Sequence, residues 1–272
     1  MITKHFVASD GTRLAWDELG TGPTVLFVHG IGSSRRRWDP QHEALSEAGF
    51  RCVRLDLRGF GESEGADQTF GMPTFLEDLV SFSSELGAPG FHLVGHSLGG
   101  MISQKYAVDQ PARVRSLVLA STTSHNGRRA TAFARVMTLL SERGFDAALA
   151  DPASRPEIER ALKEAFPNGM PLEMLRGGLE VPSLPRANAW RACVDYSVKD
   201  RLAELRCPVL VVHGTSDPLI PFRAGELVHQ AISHSSFVAE QGAGHSLPRE
   251  RVDSFNAHLL EFLHRAESSV PG

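Results

Sequence analysis

Cysteine is scarce in this chain: three residues, at 52, 193 and 207, an odd number at wide spacing. That excludes a disulfide framework, and no zinc-ligand pattern can be drawn through them. Cys52 and Cys207 fall in or beside apolar runs, where buried inert thiols are expected. Lysine is almost as rare, occurring only at positions 4, 105, 163 and 199. With a net charge of −4, the chain offers no electrostatic footprint for nucleic acid, and none is expected as a partner. The one basic cluster, Arg35-Arg36-Arg37, reads as a solvated loop or helix start. No run reaches the roughly 18 apolar residues that a membrane helix needs, and Met1–Trp16 has neither a long apolar stretch nor a small-residue cleavage site. A cytoplasmic protein with no membrane partner is expected. Internal repeats and low-complexity linkers are also missing.

What remains is an ordinary globular composition, 42% hydrophobic and 22% charged over 272 residues. That length suits one large α/β domain, or a core carrying an inserted lid. Residues 2–18 alternate around an Asp10-Gly11 turn, the pattern of a β-hairpin. Short apolar runs follow at Pro23–Val28, Arg51–Leu55, Phe91–Val94, Ser116–Ala120, Pro208–Val212 and Ser236–Ala239. Helical patterns lie between them, near 38–48, 73–87, 97–109, 222–231 and 250–264. Strands apolar on both faces and alternating with helices predict a mostly parallel sheet covered on both sides. The rhythm breaks from about Ser124 to Lys199, where amphipathic stretches such as Thr131–Arg143, Pro156–Phe166 and Leu172–Leu179 replace strands. The expected division is a core of 1–123 and 200–272 with a helical lid at 124–199.

Chemistry concentrates at strand ends. Gly95-His96-Ser97-Leu98-Gly99 follows one apolar run and opens a helical stretch. Flanking glycines allow a sharp turn that projects the Ser97 side chain and leaves the Leu98 N–H free to bind an oxyanion. His96 is expected to be directed elsewhere by its neighbouring position in the turn. His29-Gly30-Ile31-Gly32 follows the run ending at Val28, and the Ile31 N–H is the candidate second oxyanion donor; a plain glycine-rich turn is the alternative. A phosphate loop is disfavoured, since no Gly-Lys-Ser/Thr or Gly-x-Gly-x-x-Gly is present. Asp217, in His213-Gly214-Thr215-Ser216-Asp217-Pro218, lies just past another run and reads either as a turn former or as a catalytic acid. His245, in Gly242-Ala243-Gly244-His245, lies at a strand end after both Ser97 and Asp217. A serine hydroxyl needs a base to act as nucleophile at neutral pH, and an acid to hold that base in one tautomer. Ser97, His245 and Asp217 can fill those three roles without metal or organic cofactor.

With these motifs the chain resembles the α/β-hydrolase superfamily over most of its length. Asp56-Leu57-Arg58-Gly59-Phe60-Gly61-Glu62-Ser63 resembles a segment common in its smaller members and is read as architectural. The resemblance implies the α/β-hydrolase fold, with a twisted, mostly parallel sheet and the 124–199 insertion as its cap. It also implies the chain order nucleophile, acid, histidine. Gly95–Gly100, Val118-Leu119-Ala120 and Gly214–Pro218 look most like 3-oxoadipate enol-lactonase-like esterases and lactonases, though haloperoxidase-like esterases and carbon–carbon bond hydrolases share these segments. Relatives with an Asp nucleophile are set aside by Ser97. The expected activity is cleavage of a small or medium carboxylic ester or lactone. Alternatives are hydrolysis of a carbon–carbon bond in a vinylogous diketone, or a lyase, cyclase or ligand receptor on the same fold. His125 with Arg128-Arg129, Trp190-Arg191 and Tyr196 are candidate substrate contacts, each at least as readable as lid packing or solvated surface, and Trp38 is a further candidate contact, readable as pocket wall or core.

Overall fold

A computed structural model describes residues 2–65, 67–167, 169, 175–177 and 179–268. Residues 172–174 and 178 of the amphipathic stretch Leu172–Leu179 lie outside the described residues. Eight strands, β1 (Lys4–Val7), β2 (Arg13–Leu19), β3 (Thr24–Val28), β4 (Arg51–Leu55), β5 (Phe91–His96), β6 (Val114–Ala120), β7 (Val209–Gly214) and β8 (Ser236–Glu240), form one sheet. Their order is β1-β2-β4-β3-β5-β6-β7-β8. The β1–β2 hairpin and the β2–β4 pair are antiparallel, and every other pair is parallel. Strands β3, β5 and β7 are buried along their whole length, which is why they read as unbroken apolar runs.

The strand order reverses at β3, whose two neighbours, β4 and β5, both follow it in the chain. Loops leaving β3 and β5 therefore diverge to opposite sides of the sheet, opening a crevice at the carboxyl ends of the strands. Val28 is level with Gly95, His96 with Ala120, and Gly214 with Glu240, so the loops after β3, β5, β7 and β8 start at a common edge. Helices α1 (Asp39–Glu47), α2 (Met72–Glu85), α3 (Leu98–Asp109), α8 (Phe222–Ala231), α9 (Leu247–Glu250) and α10 (Val252–Ser268) follow the strands. One core cluster joins Val25, Phe27, Val94, Val118 and Leu210 of the strands to Phe255 and Leu259 of α10.

The chain divides into two compact units, the first comprising 1–64, 76–124 and 198–272 and the second 65–75 and 125–197. The second thus takes in 65–75, a segment that the sequence reading leaves with the core. It holds α4 (Arg128–Arg143), α5 (Phe145–Ala150), α6 (Arg155–Ala165) and α7 (Leu184–Cys193), with its own core of Val136, Leu140, Phe145, Ile158 and Leu179. Its only strand-like feature among the described residues is the single bridge His125–Ser197. An adjacent hydrogen bond from the Asn126 N–H to the Tyr196 carbonyl (2.8 Å) draws the ends of the long excursion together.

The basic cluster departs from the sequence reading. Arg36 is exposed, but Arg35 is buried and ties three parts of the first unit together. Its Nε donates to Asp17 (2.9 Å), and its other nitrogens reach Asp56, Thr3 and Glu62. Arg54 donates to the other oxygen of Asp17 (2.8 Å), and Arg58 to Asp78 (2.8 Å). Burial opposes the charge on Asp17, but Arg54, Arg35 and His42 together hold its carboxyl below the ordinary value. A short basic run cannot show this, because the acids that bury Arg35 lie at 17, 56 and 62. No helix among the described residues is long and apolar enough to cross a membrane, and no group of three or more His, Cys, Asp or Glu there could hold a metal ion.

Candidate active site

Strand β5 runs through His96, and the chain then turns at Ser97 with φ 55° and ψ −120°. A non-glycine residue in that region costs on the order of 1–3 kcal/mol and persists only where its surroundings impose it. Here the Ser97 N–H donates to the Ala120 carbonyl (3.0 Å), and Thr122 Oγ1 donates to the Ser97 carbonyl (2.8 Å). The flanking glycines are required by close approach. A Cβ on Gly99 would lie 2.2 Å from the Val28 carbonyl oxygen, and one on Gly95 would lie 2.5 Å from that of Gly99. Ser97 itself is 8% exposed at the first turn of α3.

The loops after β5, β7 and β8 bring three side chains into line. Ser97 Oγ lies 3.0 Å from His245 Nε2, and His245 Nδ1 lies 2.8 Å from Asp217 Oδ2. Facing a carboxylate, Nδ1 carries the proton and donates it, leaving Nε2 to accept from the serine hydroxyl. The second carboxylate oxygen of Asp217 accepts the N–H groups of Leu219 and Ile220, both at 2.9 Å. Burial works against ionisation of Asp217, but hydrogen bonds from His213, His245 and the Ile220 N–H, with the His245 charge, hold its carboxyl well below the ordinary value. Asp217 is therefore a fixed anion rather than a free turn residue.

The His29–Gly32 loop seats against this line. Gly30 is so close to Ser97 that an added Cβ would lie 2.9 Å from the serine Cβ. His29 is structural: its Nε2 accepts the Leu57 N–H (3.0 Å) and its Nδ1–H donates to the Gly30 carbonyl (2.8 Å). Burial holds it down to about 4, neutral at physiological pH. Leu98 is the first residue of α3, where no carbonyl four residues back can take its N–H. Ile31 follows Gly30 and is half-buried.

Two expectations change. Trp38 takes the core of the two places open to it, fully buried between Phe27 and Phe255 at ring distances of 5.2 and 6.4 Å. Its position at the end of a 3₁₀ turn points it inward. His96 is not directed away from the site: its Nε2 lies 2.8 Å from the carbonyl oxygen of His245. The strand extends two residues further than its apolar run suggests, so the turn begins at Ser97 and the His96 ring stays beside the His245 loop. His125, Trp190 and Tyr196 belong to the second unit. His125 forms the bridge to Ser197, Trp190 packs edge-on against Phe133 (5.5 Å), and Tyr196 is buried.

Sequence reasoning passed over Glu250. Its carboxylate accepts the N–H of Gly244 (2.6 Å) and that of Ser246 (2.9 Å), on either side of His245. The available signal was an acidic residue in the first turn after Ser246, a pattern close to a helix-capping box.

The fold agrees with the comparisons to known proteins. The family profile described as the alpha/beta hydrolase fold matches residues 23–251, and the chain belongs to that family. A protein of Variovorax paradoxus (strain S110) that carries the name carbamate hydrolase RutD is 32% identical over 270 residues, covering 92% of this chain and 94% of that one. Among solved structures, a hydrolase from Pseudomonas aeruginosa PA01 superimposes with a TM-score of 0.77 at 27% identity, covering 96% and 98% of the two chains. A thermophilic esterase from Thermogutta terrifontis gives 0.76 at 27% identity, covering 98% and 99%.

Proposed function

We propose that this protein is a serine hydrolase that cleaves a small or medium carboxylic ester or lactone through an acyl-serine intermediate. The observation that carries the reading is the unbroken line from Ser97 Oγ through the His245 imidazole to the Asp217 carboxylate, at 3.0 and 2.8 Å. As Ser97 Oγ attacks the substrate carbonyl carbon, His245 Nε2 takes the hydroxyl proton. Asp217 stays ionised and stabilises the imidazolium that forms. The N–H groups of Ile31 and Leu98 receive the developing oxyanion. Collapse expels the alkoxide, which takes the proton from His245 and leaves the acyl group on Ser97. Water, deprotonated by the same imidazole, then releases the acid and restores the serine.

Two relatives' names, an esterase and a carbamate hydrolase, support acyl transfer at a carbonyl carbon as the reaction class. Carbamates and esters present the same electrophile to Ser97, so both belong in the substrate panel. The test is hydrolysis of a p-nitrophenyl ester chain-length series, with a lactone and a carbamate, by wild type and Ser97→Ala. Turnover that disappears in the folded variant is the expected result, and the chain-length optimum gives the size of the acyl pocket. Turnover retained by Ser97→Ala would overturn the nucleophile assignment.

A further inference from the structure

His245 stands in a loop that contains Gly242, at φ 68°, and Gly244. Such a loop is entropically expensive to hold still, because glycine has more backbone freedom to lose than any other residue. Yet the imidazole must keep Nε2 within reach of Ser97 while its own charge changes. The Asp217 bond restrains the ring, but does nothing for the backbone that carries it.

The backbone is held from two other sides. Glu250 takes the Gly244 N–H on one carboxylate oxygen (2.6 Å) and the Ser246 N–H on the other (2.9 Å). His96 Nε2–H donates to the carbonyl oxygen of His245 between them (2.8 Å). Three polar groups of the two peptides that bracket the proposed base, Ala243–Gly244 and His245–Ser246, are thus anchored by two side chains. Charge-assisted bonds to a carboxylate are the stronger kind, and two in one group fix direction as well as distance. Gly244 leaves room for this arrangement: a Cβ there would lie 3.0 Å from Glu250 Oε1.

His96 is suited to its part. It is buried, and burial, with the charges of Arg37 and His245, holds it well below the ordinary histidine value, so it stays neutral. The Arg37 guanidinium lies 3.3 Å from the same Nε2. Two donors cannot bond each other, so the His245 carbonyl is the acceptor that Nε2–H has.

We infer that Glu250 and His96 are positioning residues for the proposed hydrolysis, clamping the peptide groups on both sides of His245 so that its ring meets Ser97 in register. This rests on the reading of Ser97, His245 and Asp217 as a catalytic line. A loosened clamp leaves substrate binding in place and lowers the fraction of time spent in attack geometry. The loss therefore falls on kcat rather than KM.

The test compares wild type with Glu250→Ala, Glu250→Gln, His96→Phe and His96→Gln, each checked for folding by circular dichroism. The readouts are kcat and KM on the best p-nitrophenyl ester, and the low-field NMR resonance of the His245 Nδ1–H, assigned by its absence from His245→Gln. Glu250→Ala and His96→Phe should lower kcat about 10- to 100-fold, the scale of small misplacements in catalytic geometry, with KM changed less than about twofold. Their Nδ1–H resonance should broaden or vanish. Glutamine at either position can keep one of the bonds, so the two Gln variants should recover much of the loss and also decide the matter if an Ala or Phe variant fails to fold. Unchanged kcat and an unchanged resonance in the folded variants would overturn the inference, as would a loss confined to KM. If wild type turns over none of the substrates, the functional reading fails separately and the resonance alone decides: lost in Glu250→Ala it supports the clamp, undiminished it refutes it.

Discussion

His245 and Asp217 stand 28 positions apart in the chain, on loops that leave neighbouring parallel strands, and meet through a 2.8 Å hydrogen bond. The carboxylate is spoken for on its far side by two backbone N–H groups, so it cannot turn away from the imidazole. Asp217→Asn keeps the shape but gives up the charge and sets an amide against Nδ1–H. The histidine tautomer is then disturbed, and kcat should fall on the order of 10⁴-fold, as when a serine protease loses the equivalent charge. Steady-state kinetics on a p-nitrophenyl ester check this; an unaffected kcat would mean that another acid serves. Because Asp217 is held well below the ordinary carboxylate value, it does not itself shut activity down in mild acid.

Gly30→Ala tests how closely the His29–Gly32 loop is fitted to the nucleophile. The new methyl would lie 2.9 Å from Ser97 Cβ and 3.2 Å from both Nδ1 and the carbonyl oxygen of His96. Overpacking of this kind costs about 1–3 kcal/mol, and here the strain falls on the serine. Turnover and the rate of fluorophosphonate labelling should both drop, by about tenfold or more, while the protein remains folded. Labelling at the wild-type rate would show that the loop yields freely.

Arg35→Leu probes the buried ionic network. Asp17 and Asp56 would keep their charges and lose one partner, and stranding a buried charge costs about 3–5 kcal/mol. A fall in Tm of roughly 10 °C follows for a unit of this size. A change of a degree or two in calorimetry would mean that Arg54 and solvent take over the compensation.

Stability should also fall in mild acid. Burial, first among the causes, holds His29, His42 and His92 down to about 4, and His96 well below its ordinary value. The unfolded chain takes protons on these histidines near pH 6.5, whereas the native state does not until about pH 4. The stabilisation is therefore present above the unfolded value and lost as pH drops through that window. Each histidine contributes a slope approaching about 1.4 kcal/mol per pH unit. Carboxylates held low, Asp217 and Asp17 among them, act in the same direction only in stronger acid. Urea midpoints at pH 7, 6 and 5 measure the effect; a constant midpoint would show that these histidines protonate without unfolding.

The sequence by itself determined much of the strand and helix alternation, because strands buried on both faces, such as β3, β5 and β7, leave apolar runs. It also located Ser97, whose flanking glycines are needed within the same turn. Asp217 and His245 were legible as residues just beyond strand ends, since a parallel sheet sets its carboxyl-end loops along one edge. Tertiary structure alone decided the partners of these residues. Arg35 read as solvated until the fold supplied acids from β2 and the loop after β4, and Trp38 could have been wall or core until α10 packed on it. His96 carries no local mark of its contact with the His245 loop, which it reaches across 149 positions, and the acidic residue shortly after Ser246 does not by itself name the two N–H groups that Glu250 takes. Local pattern records what a residue needs from its neighbours in the chain. Hydrogen bonds between distant loops depend on how strands are ordered in the sheet, and that ordering is settled by the packing of the whole unit.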